Sequence, residues 1–164
     1  MKKLNIDETT PNDEFLKILC RSGLEEKGLK GNKEYITRLK YEFEVINEIG
    51  FIDYFLLVWD VINYCRENEI PVGRGRGSAA GSLILYLINV TGIDPVENKL
   101  IFERFISRAR AKSQIIDGIR YIDGDMAPDV DLDICTDRRE EVIEYLKGKY
   151  SGKFCKLPTI STLA

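Results

Sequence analysis

The chain has 164 residues, 44% apolar and 31% charged, which suits one domain with a buried core. It contains no histidine, so Ser-His-Asp or Cys-His catalysis and any His-liganded zinc site are excluded. The net charge of −3 hides blocks: −4 over residues 1–70, +4 over 71–122, −7 over 123–144 and +4 over 145–164. An acidic block between two basic ones suits a metal site beside an anion site, and ordinary alternation of solvated faces is the competing reading.

The longest mostly apolar stretch, Phe51–Tyr64, contains Asp53 and Asp60 and is too short to cross a bilayer. The N-terminus, MKKLNIDETT, has no apolar run, so no signal peptide is expected. A cytoplasmic protein without a membrane partner follows. Cys20, Cys65, Cys135 and Cys155 form no CxxC pair and read as reduced thiols.

In chain order, residues 1–10 read as a flexible tail. Pro11–Gly23 reads as a short helix and Lys27–Asn32 as a loop. Asn32–Glu48 is a strong amphipathic helix, with Ile36, Leu39, Phe43 and Ile46 at steps of three and four, closed by Gly50. Phe51–Glu67 is a helix apolar nearly all round, and its aromatics are expected to pack rather than stack on bases. Ile70–Val72 is extended, and Ser78–Asn89 is a helix after a glycine-rich turn. Asp94-Pro95 marks a turn and Asn98–Ser107 a helix. Asp117-Gly118 and Asp123-Gly124 predict a hairpin-like excursion over Ile115–Asp125. Val130–Ile134 is a strand. Asp137–Lys147 is a helix with Asp137 as N-cap, Glu140 as its reciprocal partner and Gly148 past its end. The tail holds one more strand candidate. The class is α/β or α+β, helix-rich with a small sheet.

The segment Pro128-Asp129-Val130-Asp131-Leu132-Asp133-Ile134 alternates strictly. In a strand, residues two apart share a face, so Asp129, Asp131 and Asp133 line one face and Val130, Leu132 and Ile134 the other. Carboxylates about 7 Å apart repel unless a counter-charge sits between them. Mg²⁺ or Mn²⁺ is the natural one. The competing reading is a solvated edge strand whose charges block aggregation. A calcium loop is a further competitor: Asp129, Asp131, Asp133, Asp137 and Glu140 fall at its positions, but Ile134 stands where the loop requires glycine.

Gly73-Arg74-Gly75-Arg76-Gly77-Ser78-Ala79-Ala80-Gly81-Ser82 lies between an extended segment and a helix. Glycines let backbone N–H groups approach an anion, and the helix start adds partial positive charge. Ser78 and Ser82 add hydroxyls, and Arg74 and Arg76 add cations suited to phosphate. The turn is not a P-loop, since Gly-Lys-Ser/Thr is missing. Gly75-x-Gly77-x-x-Ala80 matches the dinucleotide fingerprint, with Asp94 at a spacing suited to a ribose contact, and a purely structural turn is the third alternative. A phosphate cradle and an acidic strand together point to nucleoside triphosphate chemistry. Arg104 is a candidate further cation, with a surface salt bridge to Glu103 or a neighbour as its equal alternative.

At these residues the chain resembles the bacterial DNA polymerase III alpha family, the C family of replicative polymerases. The run Ile70–Ser82 is similar to its signature, as are Gly50-Phe51-Ile52-Asp53-Tyr54-Phe55-Leu56 and Leu100-Ile101-Phe102-Glu103-Arg104-Phe105. Pro128–Asp133, followed by Arg138-Arg139 and a helix to Tyr150, resembles its aspartate motif, and the order agrees across about residues 15–164. The resemblance implies a helix-rich polymerase palm of the polymerase-β-like nucleotidyltransferase type, with a small sheet. It implies a partial palm over 11–164: a helical subregion 11–69, a phosphate-binding turn and helix 70–90, an inserted hairpin near 109–127, and a metal-binding strand and helix 128–150.

By the same resemblance, Asp131 and Asp133 are metal ligands for two Mg²⁺ ions, with Asp129 a further candidate. Gly77 and Ser78 bind phosphate with Arg76 and Ser82, and Arg104 is the arginine of the Phe-Glu-Arg motif. Implied partners are primer-template DNA, a deoxynucleoside triphosphate (dNTP), the remainder of the polymerase chain, and a sliding clamp reached through regions outside this chain. The family is associated with 3′–5′ exonuclease activity. Arg74 stands where the family commonly has proline, and residues 109–127 exceed the usual link. The family's third catalytic carboxylate is expected on a later strand, beyond Ala164, so the chain is expected to be a palm segment from a split gene, an intein- or intron-interrupted product or a prophage remnant, inactive without its remainder. A catalytically silent module that binds nucleic acid or a partner chain is the alternative.

Overall fold

The computed structural model describes residues 9–108, 113–116, 119–122 and 128–151. Five α-helices dominate it: α1 Asn12–Glu26, α2 Lys33–Ile49, α3 Ile52–Glu67, α4 Leu83–Leu87 and α5 Arg139–Lys149. Strands β1 Ser113–Ile116 and β2 Ile119–Ile122 form an antiparallel two-stranded ladder, with Ile116 opposite Ile119. This ladder is the only sheet among the described residues, and the acidic segment is not in it. The expected α/β palm with a sheet carrying the aspartates is therefore corrected to a helix-rich fold. The first eight residues of the tail, the turn signals at 117–118 and 123–124, and the last strand candidate lie outside the described residues.

Helix ends follow local chemistry. Asn32 caps α2, its side chain accepting from Glu34 N at 3.0 Å, and Gly50 ends it at φ +84°, a conformation glycine adopts without strain. The first helix runs past Gly23 to Glu26, and because a side chain at 23 would collide with the Leu87 carbonyl, glycine there permits α1 to cross α4 closely. The core joins α1, α2, α3 and α4 through Leu16, Ile46, Phe55, Leu83 and Phe102, all nearly solvent-free. Each contributes about 1.5–3 kcal/mol on leaving water. As expected, the aromatics of α3 are packing groups: Phe55 meets Phe105 edge-on, and Trp59 meets Phe15 edge-on at 5.2 Å. The buried face of α2 is rotated from the expected stripe: it holds Tyr35, Glu42, Val45, Ile46 and Ile49.

Two expected helices are shorter. Residues 78–89 divide into a 3₁₀ turn at Gly77–Gly81 and the five-residue α4, and residues 98–107 contain only the 3₁₀ turn Phe102–Arg104. The α5 helix starts at Arg139 after a 3₁₀ turn at Thr136–Arg138, so Asp137 is not its N-cap and Gly148 lies inside it.

A smaller apolar cluster of Val61, Cys65, Ile70 and Val142 joins α3 to α5. Asp60 on α3 reinforces this joint. Its carboxylate accepts from Tyr145 Oη at 2.8 Å, Tyr150 Oη at 2.9 Å and Lys149 Nζ at 2.7 Å. Tyr64 and Tyr145 stack at 3.9 Å. Burial, then Asp60, pushes the Tyr150 phenol up to about 12. Among the described residues, no helix is long and apolar enough to cross a membrane.

Candidate functional site

The acidic segment is neither strand nor helix and makes a single bridge, Val72 with Ile134, instead of a ladder. Gly73 N donates to the Asp133 carbonyl at 2.8 Å, and Cys135 N donates to the Pro71 carbonyl at 3.0 Å. The alternation still sorts the side chains. Val130 and Leu132 pack on the main core and Ile134 on the smaller cluster, while Asp129 and Asp133 are exposed and Asp131 is half-buried. A bridge of this length cannot orient a segment alone, so these apolar anchors hold it.

This placement brings the acidic pair onto the glycine-rich turn. Arg76 Nη2 lies 3.3 Å from Asp131 Oδ1, and Arg76 Nε lies 3.2 Å from Asp133 Oδ1. A Cβ on Gly73 would sit 2.8 Å from Asp133 Cβ, and one on Gly77 would sit 3.7 Å from Asp131 Oδ2. Gly75 and Gly77 have φ of +80° and +69°, so both need glycine, and Thr91 packs behind Gly75. Ser78 is exposed on the same turn. The mutual repulsion of two carboxylates is here offset by Arg76, though Arg76 and Asp133 are exposed, Asp131 is only half-buried, and such pairs hold weakly.

Among the described residues, the remaining candidates make no hydrogen-bond or ion-pair contact with this cluster. Asp129 is exposed near Tyr54, whose phenol is raised by burial, while its hydrogen bond to the Val130 backbone acts the opposite way. Ser82 is fully buried: its hydroxyl donates to Glu42 Oε2 at 3.0 Å and accepts from Leu85 N at 3.3 Å, capping α4 instead of facing the turn's open side. Arg104 is exposed, and among the described residues it has no ion pair with Glu103, which accepts from Tyr41 Oη at 2.6 Å. Asp94 accepts from Tyr35 Oη and from the Val96 and Glu97 N–H groups, as a turn cap and not a free ribose ligand. Nor does the acidic segment form a calcium loop, because Ile134, where that loop needs its glycine turn, is paired in a bridge with Val72. Among the described residues, no group of three or more Asp, Glu or Cys is placed to hold a metal ion.

Sequence reasoning missed the buried ion pair behind the turn. Arg38 Nε donates to Glu42 Oε1 at 2.6 Å, and Arg38 Nη2 donates to the Gly81 and Leu100 carbonyls at 2.9 and 3.1 Å. Glu42 also accepts from Leu83 N at 3.0 Å and Ile84 N at 3.2 Å. Burial pushes the Glu42 carboxyl up, and the N–H of Leu83, the Arg38 guanidinium and the N–H of Ile84 pull it back. The available signal was a glutamate on the apolar side of α2 with an arginine four residues before it. An open groove of about 740 Å³ runs beside this pair, lined by Lys33, Arg38, Tyr41, Lys99, Ile101 and Glu103.

A turn that can present N–H groups to an anion, set beside two carboxylates, defines a candidate phosphate-handling site. The family described as the bacterial DNA polymerase III alpha NTPase domain matches residues 14–164. The DNA polymerase III subunit alpha of Aquifex aeolicus is 42% identical over 154 residues, covering 92% of this chain and 12% of that protein. That of Ureaplasma parvum is 48% identical over 145 residues, covering 86% of this chain and 14% of that protein. That of Bacillus subtilis is 38% identical over 156 residues, covering 94% and 13%. These matches put the chain among bacterial DNA polymerases. More narrowly, it belongs to the DNA polymerase III alpha family, and it spans about an eighth of the length of the relatives it matches.

Proposed function

We propose that this chain supplies two metal-binding carboxylates and a phosphate-binding turn to a DNA polymerase III alpha-type enzyme in the cytoplasm. The reaction is attack of a primer 3′-oxygen on the α-phosphorus of a dNTP, with pyrophosphate leaving and the hydroxyl proton passing to solvent. The observation that carries the reading is the convergence of Asp131 and Asp133 on Arg76 and Gly77. Two carboxylates suit Mg²⁺, which commonly takes one or two of them and completes its shell with phosphate oxygens and water. Bound there, two Mg²⁺ (or Mn²⁺) ions would supply charge neutralisation and a more acidic primer hydroxyl. Asp131 and Asp133 hold that charge, with Asp129 at the margin. The backbone N–H groups at Gly77 and Ser78 receive phosphate oxygens. Arg76 exchanges its carboxylate partners for phosphate, and Arg104 lends a second cation. Primer-template DNA, the rest of the polymerase and a sliding clamp are partners of the whole enzyme.

In the polymerase that contains this chain, Asp131→Asn or Asp133→Asn is expected to abolish nucleotide incorporation while circular dichroism stays unchanged. Retained incorporation in either variant refutes the assignment. One observation favours a silent module instead: Arg76 already supplies the counter-charge of the pair. Titration of the chain with dATP, with and without Mg²⁺, separates the two readings, since a silent module shows no metal-dependent binding.

A further inference from the structure

The phosphate turn and the turn carrying Arg104 are separate in sequence, and α2 clamps them together. Arg38 Nη2 donates to both Gly81 O, at the end of one turn, and Leu100 O, at the entry to the other. A Cβ on Gly81 would sit 2.9 Å from Ile101 O, so the two backbones are already in close approach. Glu42, itself fully buried, orients Arg38 and holds Ser82 Oγ, Leu83 N and Ile84 N just past the phosphate turn. Tyr41 holds Glu103, the neighbour of Arg104, through its hydroxyl. Residues 38, 41 and 42 are three and four apart on one helix, so a single rigid face fixes both turns.

We infer that Arg38, oriented by Glu42 and assisted by Tyr41, is a positioning residue that sets Arg104 relative to Ser78 so that both act on one triphosphate. The inference rests on the proposed triphosphate-binding role. Lysine cannot replace the fork, because a point cation does not span Glu42 and two carbonyls with fixed geometry.

The test is a double-mutant cycle on the 164-residue chain, titrated with dATP at saturating Mg²⁺ and followed by NMR. Arg38→Lys is expected to weaken dATP binding about tenfold, the value of one charged hydrogen bond, and Tyr41→Phe about threefold. Arg104→Ala weakens it as well, and neither Arg38→Lys nor Tyr41→Phe weakens it further in that background. Losses that multiply with Arg104→Ala show a merely structural role and overturn the inference, as does wild-type affinity in Arg38→Lys. If Arg38→Lys does not fold, Tyr41→Phe decides, because it removes one hydroxyl and keeps the ring. Arg104→Ala binding at full strength likewise overturns the inference, whereas wild-type chain that binds no dATP overturns the triphosphate reading itself.

Discussion

Glu42→Ala tests the buried pair directly. Glu42 is solvent-free and accepts from Arg38 Nε, Ser82 Oγ, Leu83 N and Ile84 N. Alanine leaves two backbone N–H groups at the start of α4 without an acceptor, and each buried orphan costs about 1–3 kcal/mol. The Ser82 hydroxyl can turn to another acceptor, and the Arg38 side chain, 23% exposed, recovers part of its hydration. The total is about 3–5 kcal/mol, the range found when one partner of a buried ion pair is removed. For a domain of this size that lowers Tm by about 6–20 °C. Glu42→Gln keeps one carbonyl acceptor and should fall between. Exposed Glu44 on the same helix is the control, and its alanine variant should stay within about 0.5 kcal/mol of wild type. Thermal and urea unfolding followed by circular dichroism read the differences. A Glu42→Ala loss below about 1 kcal/mol refutes the claim that this carboxylate organises the turn-to-helix junction.

Gly23→Ala should destabilise the chain by about 1–3 kcal/mol in the same assay, since its methyl meets backbone rather than a yielding side chain; an unchanged midpoint contradicts the close crossing of α1 and α4. Arg76→Ala should raise Mg²⁺ affinity by up to about fivefold, because it removes the cation that competes for Asp131 and Asp133. Calorimetric titration with Mg²⁺ checks this, and weaker binding reverses the sign of the argument. The Tyr41 hydroxyl is the largest cause holding Glu103 below its ordinary value of 4.5. Its stabilisation is therefore present above about pH 4.5 and disappears as pH falls through the folded-state value. In Tyr41→Phe, the NMR titration of Glu103 should move back up towards the ordinary range, and an unmoved midpoint disproves the bond.

The second helix was legible because it carries its own punctuation, which α1 and α3 lack. Asn32 and Gly50 bracket α2, and its apolar period set its existence, although the buried face proved to include Glu42. A glutamate reads as solvated until its partners are known, and those partners lie about forty residues away, at Ser82, Leu83 and Ile84. The same pair explains why residues 78–89 are not one helix. Glu42 takes the Leu83 and Ile84 N–H groups, and Arg38 takes the Gly81 carbonyl, so bonds that would continue a helix are directed to α2. Local propensity cannot anticipate this, since it is a tertiary choice between two acceptors for one donor.

The acidic segment shows which part of a pattern carries information. Its two-residue alternation specifies sides, and the apolar side is as expected: Val130, Leu132 and Ile134 face packed side chains, while Asp129 and Asp133 are exposed and Asp131 is half-buried. Alternation does not specify a partner strand, and the segment finds one bridge only. The place of the carboxylates therefore depends on apolar anchoring and on two backbone bonds to Pro71 and Gly73. That dependence accounts for the glycine at 73. Any side chain there would press on Asp133 Cβ and move the carboxylate away from Arg76. The glycine-rich run thus does two separate jobs, with Gly75 and Gly77 supplying left-handed backbone and Gly73 supplying clearance for an acid.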